Sequence, residues 1–185
     1  KPKWTRNETI RLCAVLRRAM FKPSYGQKLM DEADMTETEN HGLSGWMEGG
    51  THHLRQRVYY EDTDFSGIVY HARYLHFFER GRTDLLRCLG VEQRTLHTID
   101  EEGLAFAVHH MDLKFVRPAR MDDILDITTK TVKATGARMV LEQAIHANGQ
   151  LLTTATVTVV VINRAGRARR MPDDLAATLL EGQSK

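Results

Sequence analysis

Cysteine is scarce. Cys13 and Cys88 are the only two in 185 residues, far apart and in no metal-binding or redox spacing. Reduced, non-structural thiols in an intracellular, cytoplasmic setting are expected from that usage. Neither sign of charge prevails: 26 Lys and Arg face 24 Asp and Glu, a net charge of +2. So small an excess gives no argument for nucleic acid as a partner. No window reaches the roughly 18 consecutive apolar residues of a membrane span, and no secretory hydrophobic region is visible. What is present is 42% hydrophobic and 27% charged. That is the balance of an ordinary globular domain, and the length suits one domain with a real core.

The first fifty residues read differently from the rest. Lys1, Lys3, Arg6, Arg11, Arg17, Arg18, Lys22 and Lys28 face the single acid Glu8, and then Asp31 to Gly50 is acidic without Lys or Arg. Sustained apolar periodicity is missing, apart from Ile10, Cys13, Leu16 and Met20 on one face of a short helix that Asn7 could cap. Such a composition predicts a mobile or weakly docked extension over residues 1–50. The chain opens on Lys1, and Met30, Met35 and Met47 are candidate starts.

From residue 51 to 185 the pattern is that of one domain. Leu54, Gln56, Val58 and Tyr60 alternate with polar or aromatic neighbours, which predicts a half-buried strand. Glu61 to Gly67 is a polar loop. Tyr74, Phe78, Gly81, Leu85 and Cys88 then recur on one face of a helix over Tyr70 to Leu89, ended by Gly90. Gly81 on that face costs roughly 1 kcal/mol against Ala, a cost that close approach to a sheet would justify. Four strand-like runs follow: Leu104 to Phe115, Ile124 to Lys133, Arg138 to Ala147 and Leu151 to Asn163. Asn148-Gly149 is a two-residue hairpin signal, and Pro172 opens a short final helix over Asp173 to Leu180. The fold class is α+β: a five-stranded antiparallel meander wrapped around one long central helix.

The chemistry concentrates between Tyr60 and Glu79. Asp62 and Asp64 sit in a short loop, Gly67 permits unusual backbone angles, and a helix begins near Tyr70. The first N–H groups of a helix lack internal partners and carry the positive end of its dipole, so they suit an oxyanion. A carboxylate beside them could attack an acyl carbon or activate water. His71, in the first turn, could orient that carboxylate or hydrogen-bond a substrate carbonyl. From spacing alone, an Asp before a helix is more often a cap or turn residue. The run Asp62 to Gly67 also matches the opening of a calcium loop, but Arg73 occupies the position of the required terminal acid. The pairs His52-His53 and His109-His110 have no coordinated spacing with Cys or acids, so no metal site is expected.

This stretch closely resembles the signature of the 4-hydroxybenzoyl-CoA thioesterase family, in its branch linked to the bacterial Tol-Pal envelope system. The resemblance rests on Tyr60, Asp62-Thr63-Asp64, Gly67-Ile68-Val69, Tyr70-His71, Tyr74 and Phe77-Phe78-Glu79-Arg80, and extends through Phe115 to Ala119 and Val159 to Asn163. Ser66-Gly67 departs slightly from the small residues usual there, a change that should preserve the turn. The resemblance implies a hotdog fold and hydrolysis of an acyl-CoA thioester without cofactor. It places the catalytic carboxylate at Asp64 and an active-site histidine at His71, with Tyr70, Gly67 and Val69 around the oxyanion. It also implies a homodimer or homotetramer with acyl-CoA at the subunit interface, and leaves an envelope or acyl-carrier protein as a candidate further partner. Lys114, Arg117, Arg120, Arg167 and Arg169 are candidate contacts for CoA phosphates, since Arg suits phosphate geometry. Glu79 reads as a surface acid paired with Arg80 or Arg82. A non-catalytic acyl- or protein-binding hotdog domain and a hotdog dehydratase are the rival readings.

Overall fold

The computed structural model describes residues 44–181. The expected extension and its Asn7-capped helix lie almost wholly outside that range. The sheet itself begins upstream of Thr51, because a short strand β1 (Trp46–Glu48) pairs with β2 (Thr51–Arg57). Helix α1 (Arg73–Cys88) and the short α2 (Gln93–His97) come next. Strands β3 (Ala105–Phe115), β4 (Ile124–Thr135), β5 (Arg138–Ala147) and β6 (Gln150–Ile162) follow, and α3 (Asp173–Glu181) closes the chain. All pairings are antiparallel, in the order β1-β2-β4-β5-β6-β3. A sheet packed on one long helix is the hotdog arrangement.

Two expectations about the sheet change. It has six strands rather than five, the sixth being β1. It is not a simple meander either: β3 pairs with β6 at the far edge, and β4 pairs with β2. The connection from β3 to β4 therefore has to travel across the sheet. On the way it is held by Val69 N–H on Ala119 O at 2.9 Å, and by Val58 N–H on Asp123 O at 2.9 Å. That crossing brings Phe115 to Arg120 up against the loop before α1.

Alternation explains the core. Leu125, Ile127, Thr129 and Thr131 of β4 point inward, as do Met139, Leu141, Gln143 and Ile145 of β5. Val157, Val159 and Val161 of β6 complete that face. Tyr74, Phe77, Phe78 and Leu85 of α1 pack on it, all buried. Burying each such side chain contributes about 1.5–3 kcal/mol. Cys88, expected on this face, is exposed at the last residue of the helix. Asn148 and Gly149 both have positive φ, 51° and 73°, as their tight hairpin requires. No helix among the described residues is long and apolar enough to cross a membrane.

Gly81 is where α1 comes closest to the sheet. A Cβ there would stand 2.8 Å from Thr129 Oγ1 and 3.0 Å from Ile127 Cγ2, both side chains of β4. Gly81→Ala gains about 1 kcal/mol of helix propensity. Overpacking of this kind costs about 1–3 kcal/mol. The expected result is a net loss of about 1 kcal/mol in denaturant unfolding. A variant more stable than the parent would refute the close-approach argument.

Candidate active site

The two loop carboxylates have separate roles. Asp62 is buried, at 2% exposure. Its Oδ2 accepts the Tyr59 N–H at 2.8 Å, and its Oδ1 accepts the Arg73 Nε–H at 2.7 Å and a second bond from Arg73 Nη2. Arg73 thus closes an ion pair at the position where a calcium loop needs an acid. Asp62 is structural: it caps the turn Tyr60–Asp62 and fastens it to the first turn of α1.

Asp64 is exposed, at the tip of a tiny hairpin closed by Thr63 pairing with Val69. Gly67 completes the turn with φ +74°. The Asp64 carboxylate accepts two bonds, from Ser66 N–H at 2.8 Å and from the Ser66 hydroxyl, both on Oδ1. Oδ2 has no partner among the described residues. The Ser66 hydroxyl, then the Ser66 N–H, hold this carboxyl below its usual range, and nearby His71 adds to the effect. The result is an ionised carboxylate with one oxygen anchored and the other free.

The helix begins later than the sequence suggests. Its first residue is Arg73, and Tyr70 to Ala72 form the turn before it. The Tyr70 N–H donates to Asp62 O at 2.9 Å. The other backbone donors expected at an oxyanion are also committed: Gly67 N–H to Asp64 O at 3.0 Å and Val69 N–H to Ala119 O at 2.9 Å. Tyr70, Gly67 and Val69 therefore shape the site through other means than their N–H groups. His71 and Ala72 N–H donate to no acceptor among the described residues.

Beside His71 lies a cleft of about 290 Å³, lined by Ile68, Val69, His71, Tyr74, Phe115, Val116, Arg117 and Pro118. Asp64 is not in its lining; His71 links the two. Tyr74 forms the floor, held by Ala119 N–H on its hydroxyl oxygen at 2.8 Å and by an edge contact with Phe115 at 5.4 Å. Phe115 and Pro118 belong to the segment that carries the family resemblance, but only the β3–β4 crossing sets them against the helix as a wall of the cleft. Phe65, fully exposed at 109%, and Tyr60 and Tyr70 surround the loop with apolar surface.

Of the candidate phosphate contacts, the structure brings Arg117 to the cleft, with exposed Lys114 and Arg120 on either side of it in the chain. Arg169 is committed elsewhere. It pairs bidentately with Asp100, which it holds far below the usual carboxylate range, and so ties the α2–β3 loop to the segment after β6. Arg167 is an exposed turn residue of that same segment. Glu79 pairs with Arg82 on the surface.

A family model described as the thioesterase-like superfamily matches residues 58–179. The chain belongs to this superfamily. YbgC of Haemophilus influenzae, an acyl-CoA thioesterase, is 46% identical over 107 residues, covering 58% of this chain and 77% of the relative. YbgC of Escherichia coli O6:H1, an acyl-CoA thioester hydrolase, is 41% identical over 123 residues, 65% of this chain and 90% of the relative. Among solved structures, a probable thioesterase from Bartonella henselae is 46% identical with a TM-score of 0.64, covering 66% of this chain and 99% of that one. The thioesterase-like match spans the Asp64 loop, α1 and the β3–β4 crossing together.

Proposed function

We propose that this chain hydrolyses acyl-CoA thioesters to free acid and CoA, with Asp64 as its catalytic carboxylate. The observation that carries the reading is an ionised Asp64 whose Oδ2 has no partner among the described residues, within electrostatic reach of the His71 side chain, together with the unbonded N–H of His71. The His71 N–H, with Ala72 N–H next to it, receives the thioester oxygen as charge develops there. Asp64 then acts in one of two ways. As nucleophile, Oδ2 adds to the carbonyl carbon, the CoA thiolate leaves, and water cleaves the resulting mixed anhydride. As general base, it takes a proton from water, hydroxide adds to the carbonyl, and the proton goes to the departing thiolate. The His71 ring faces the cleft and orients the substrate.

The YbgC relatives support the reaction class; the Tol-Pal branch rests on the motif resemblance from Tyr60 to Arg80. We also propose that two copies form the working unit. β3 is an outer strand with one edge unpaired among the described residues. Val108 exposes apolar surface along it, and Phe115 and Val116 do so at its end, where they line the cleft. Pairing of β3 with its counterpart would cover that edge and close the cleft. Arg117, with Lys114 and Arg120, then meets the CoA phosphates. The exposed, unpaired Cys88 suits a reducing cytoplasm, where an envelope or acyl-carrier protein would be a further partner.

The test is a kinetic screen over short aliphatic, long aliphatic and aromatic acyl-CoAs, following release of the free CoA thiol. Turnover of at least one class with saturation is expected. No release from any member of the panel would refute the proposal.

A further inference from the structure

A second group of reactive side chains lies away from the cleft, where α1 packs against β2. His52 of β2 is completely buried and Asp84 of α1 nearly so, at 4% exposure. His52 Nε2 stands 3.0 Å from Asp84 Oδ2. Asp84 and Cys88 are one helical turn apart, so their side chains share a face of α1. One donor atom from each of His52, Asp84 and Cys88 lies within 4.8 Å of the other two.

Gly45 closes the fourth side. Its N–H donates to Asp84 Oδ2 at 2.6 Å, and its carbonyl oxygen is 3.5 Å from Cys88 Sγ. A Cβ at that position would stand 2.5 Å from His52 Nε2 and 2.9 Å from Asp84 Oδ2, so a side chain there would crowd the cluster. Nothing in the proposed thioester chemistry uses these residues. The sequence hid the group, because the strand histidine and the helix pair meet only in the fold.

We propose that His52, Asp84 and Cys88 bind one zinc ion, pinning the C-terminal half of α1 to β2. An imidazole nitrogen, a carboxylate and a thiolate are the three donor types zinc takes, at about 2.0–2.3 Å. Such bonds place tetrahedral donors about 3.5 Å apart. The His52–Asp84 pair is close to that spacing, and the exposed Cys88 thiol covers the remainder by a change of rotamer. Zinc binding displaces the Cys88 thiol proton to the solvent. Two anionic ligands then cancel the ion's charge, which a buried helix–strand contact requires. A water molecule or the Gly45 carbonyl completes the shell. His52 Nδ1 has no partner among the described residues. The outer hydrogen bond that tightens most zinc sites is therefore missing, at a cost of about 10–100-fold in affinity.

Cobalt(II) reports such a site without reference to activity. Titrating the full chain, with Cys13→Ser to remove the other thiol, is expected to give a thiolate-to-cobalt charge-transfer band that saturates at one equivalent. Zinc should bleach it. Cys88→Ser, at an exposed position, should abolish the band while leaving the circular dichroism unchanged. Zinc should also raise the melting temperature of the parent and not of Cys88→Ser. A missing band, or one that survives Cys88→Ser, would overturn the proposal and leave His52 and Asp84 as a metal-free clasp.

Discussion

Asp64→Asn is expected to lower kcat for acyl-CoA hydrolysis by about 10²–10⁴-fold, the usual contribution of a positioned proton-transfer group. The fold should not notice the change. Asp64 is exposed, and among the described residues its carboxylate bonds only to Ser66 in the same turn. The turn is also held by backbone bonds that an amide leaves intact, Asp64 N–H to Ile68 O and Gly67 N–H to Asp64 O, both 3.0 Å. An Asn oxygen still accepts from Ser66, so geometry is kept while charge and basicity are lost. Steady-state kinetics beside a circular dichroism melt check both halves. Wild-type turnover in a folded variant would remove Asp64 from the mechanism.

The sign of the pH dependence follows from the same contacts. The Asp64 carboxyl titrates below its usual value, so its active, ionised form persists through neutral pH and well into acid. Activity that depends on it is lost only as pH falls through that depressed value. Ser66→Ala removes the largest cause of the depression and should move the acid limb of kcat/KM upward. Label in the Asp64 carboxylate after a single turnover in ¹⁸O-labelled water would establish the nucleophilic route, since a general base acquires none and only water attack on the Asp64 carbonyl of the anhydride leaves it there.

What the sequence made legible was local. The hairpin at Asn148-Gly149, the core face of α1 and the need for Gly81 all follow from short-range periodicity and turn chemistry, and all three are present. What it hid was set by partners distant in the chain. No periodicity says that β3 leaves the meander to pair with β6, because edge position is decided by the crossing through Ala119 and Asp123. The same crossing takes up the Val69 N–H, and Asp62 O takes up that of Tyr70, so two of the three N–H groups expected at the oxyanion are spent on distant partners. Arg169 looked free for phosphate until Asp100, from the other side of β3, turned out to hold it. The doubled Asp motif was readable as a motif but not as two roles. Burial separates them, and burial is a property of the fold.

That separation gives Asp62 and Arg73 the largest stability effect in the site. Arg73→Met is expected to destabilise the chain by about 3–5 kcal/mol, the usual cost of removing one partner of a buried ion pair. Arg73 supplies two of the three side-chain bonds to the Asp62 carboxylate, and the Tyr59 N–H supplies the third. Without the guanidinium, a carboxylate at 2% exposure keeps one donor, and water reaches it only by opening the turn. The melting temperature should fall by roughly 6–20 °C for a chain of this size. Activity should fall as well in the fraction that stays folded. Asp62 O holds the Tyr70 N–H, so loosening Asp62 moves His71 relative to Asp64. Asp62→Asn combined with Arg73→Met removes both charges and should recover part of the stability lost by Arg73→Met alone, a coupling that a double-mutant cycle measures directly. If Arg73→Met cost under about 1 kcal/mol, the range of an exposed pair, the Asp62 carboxylate would be hydrated, and its role as the anchor of the Asp64 loop would fail.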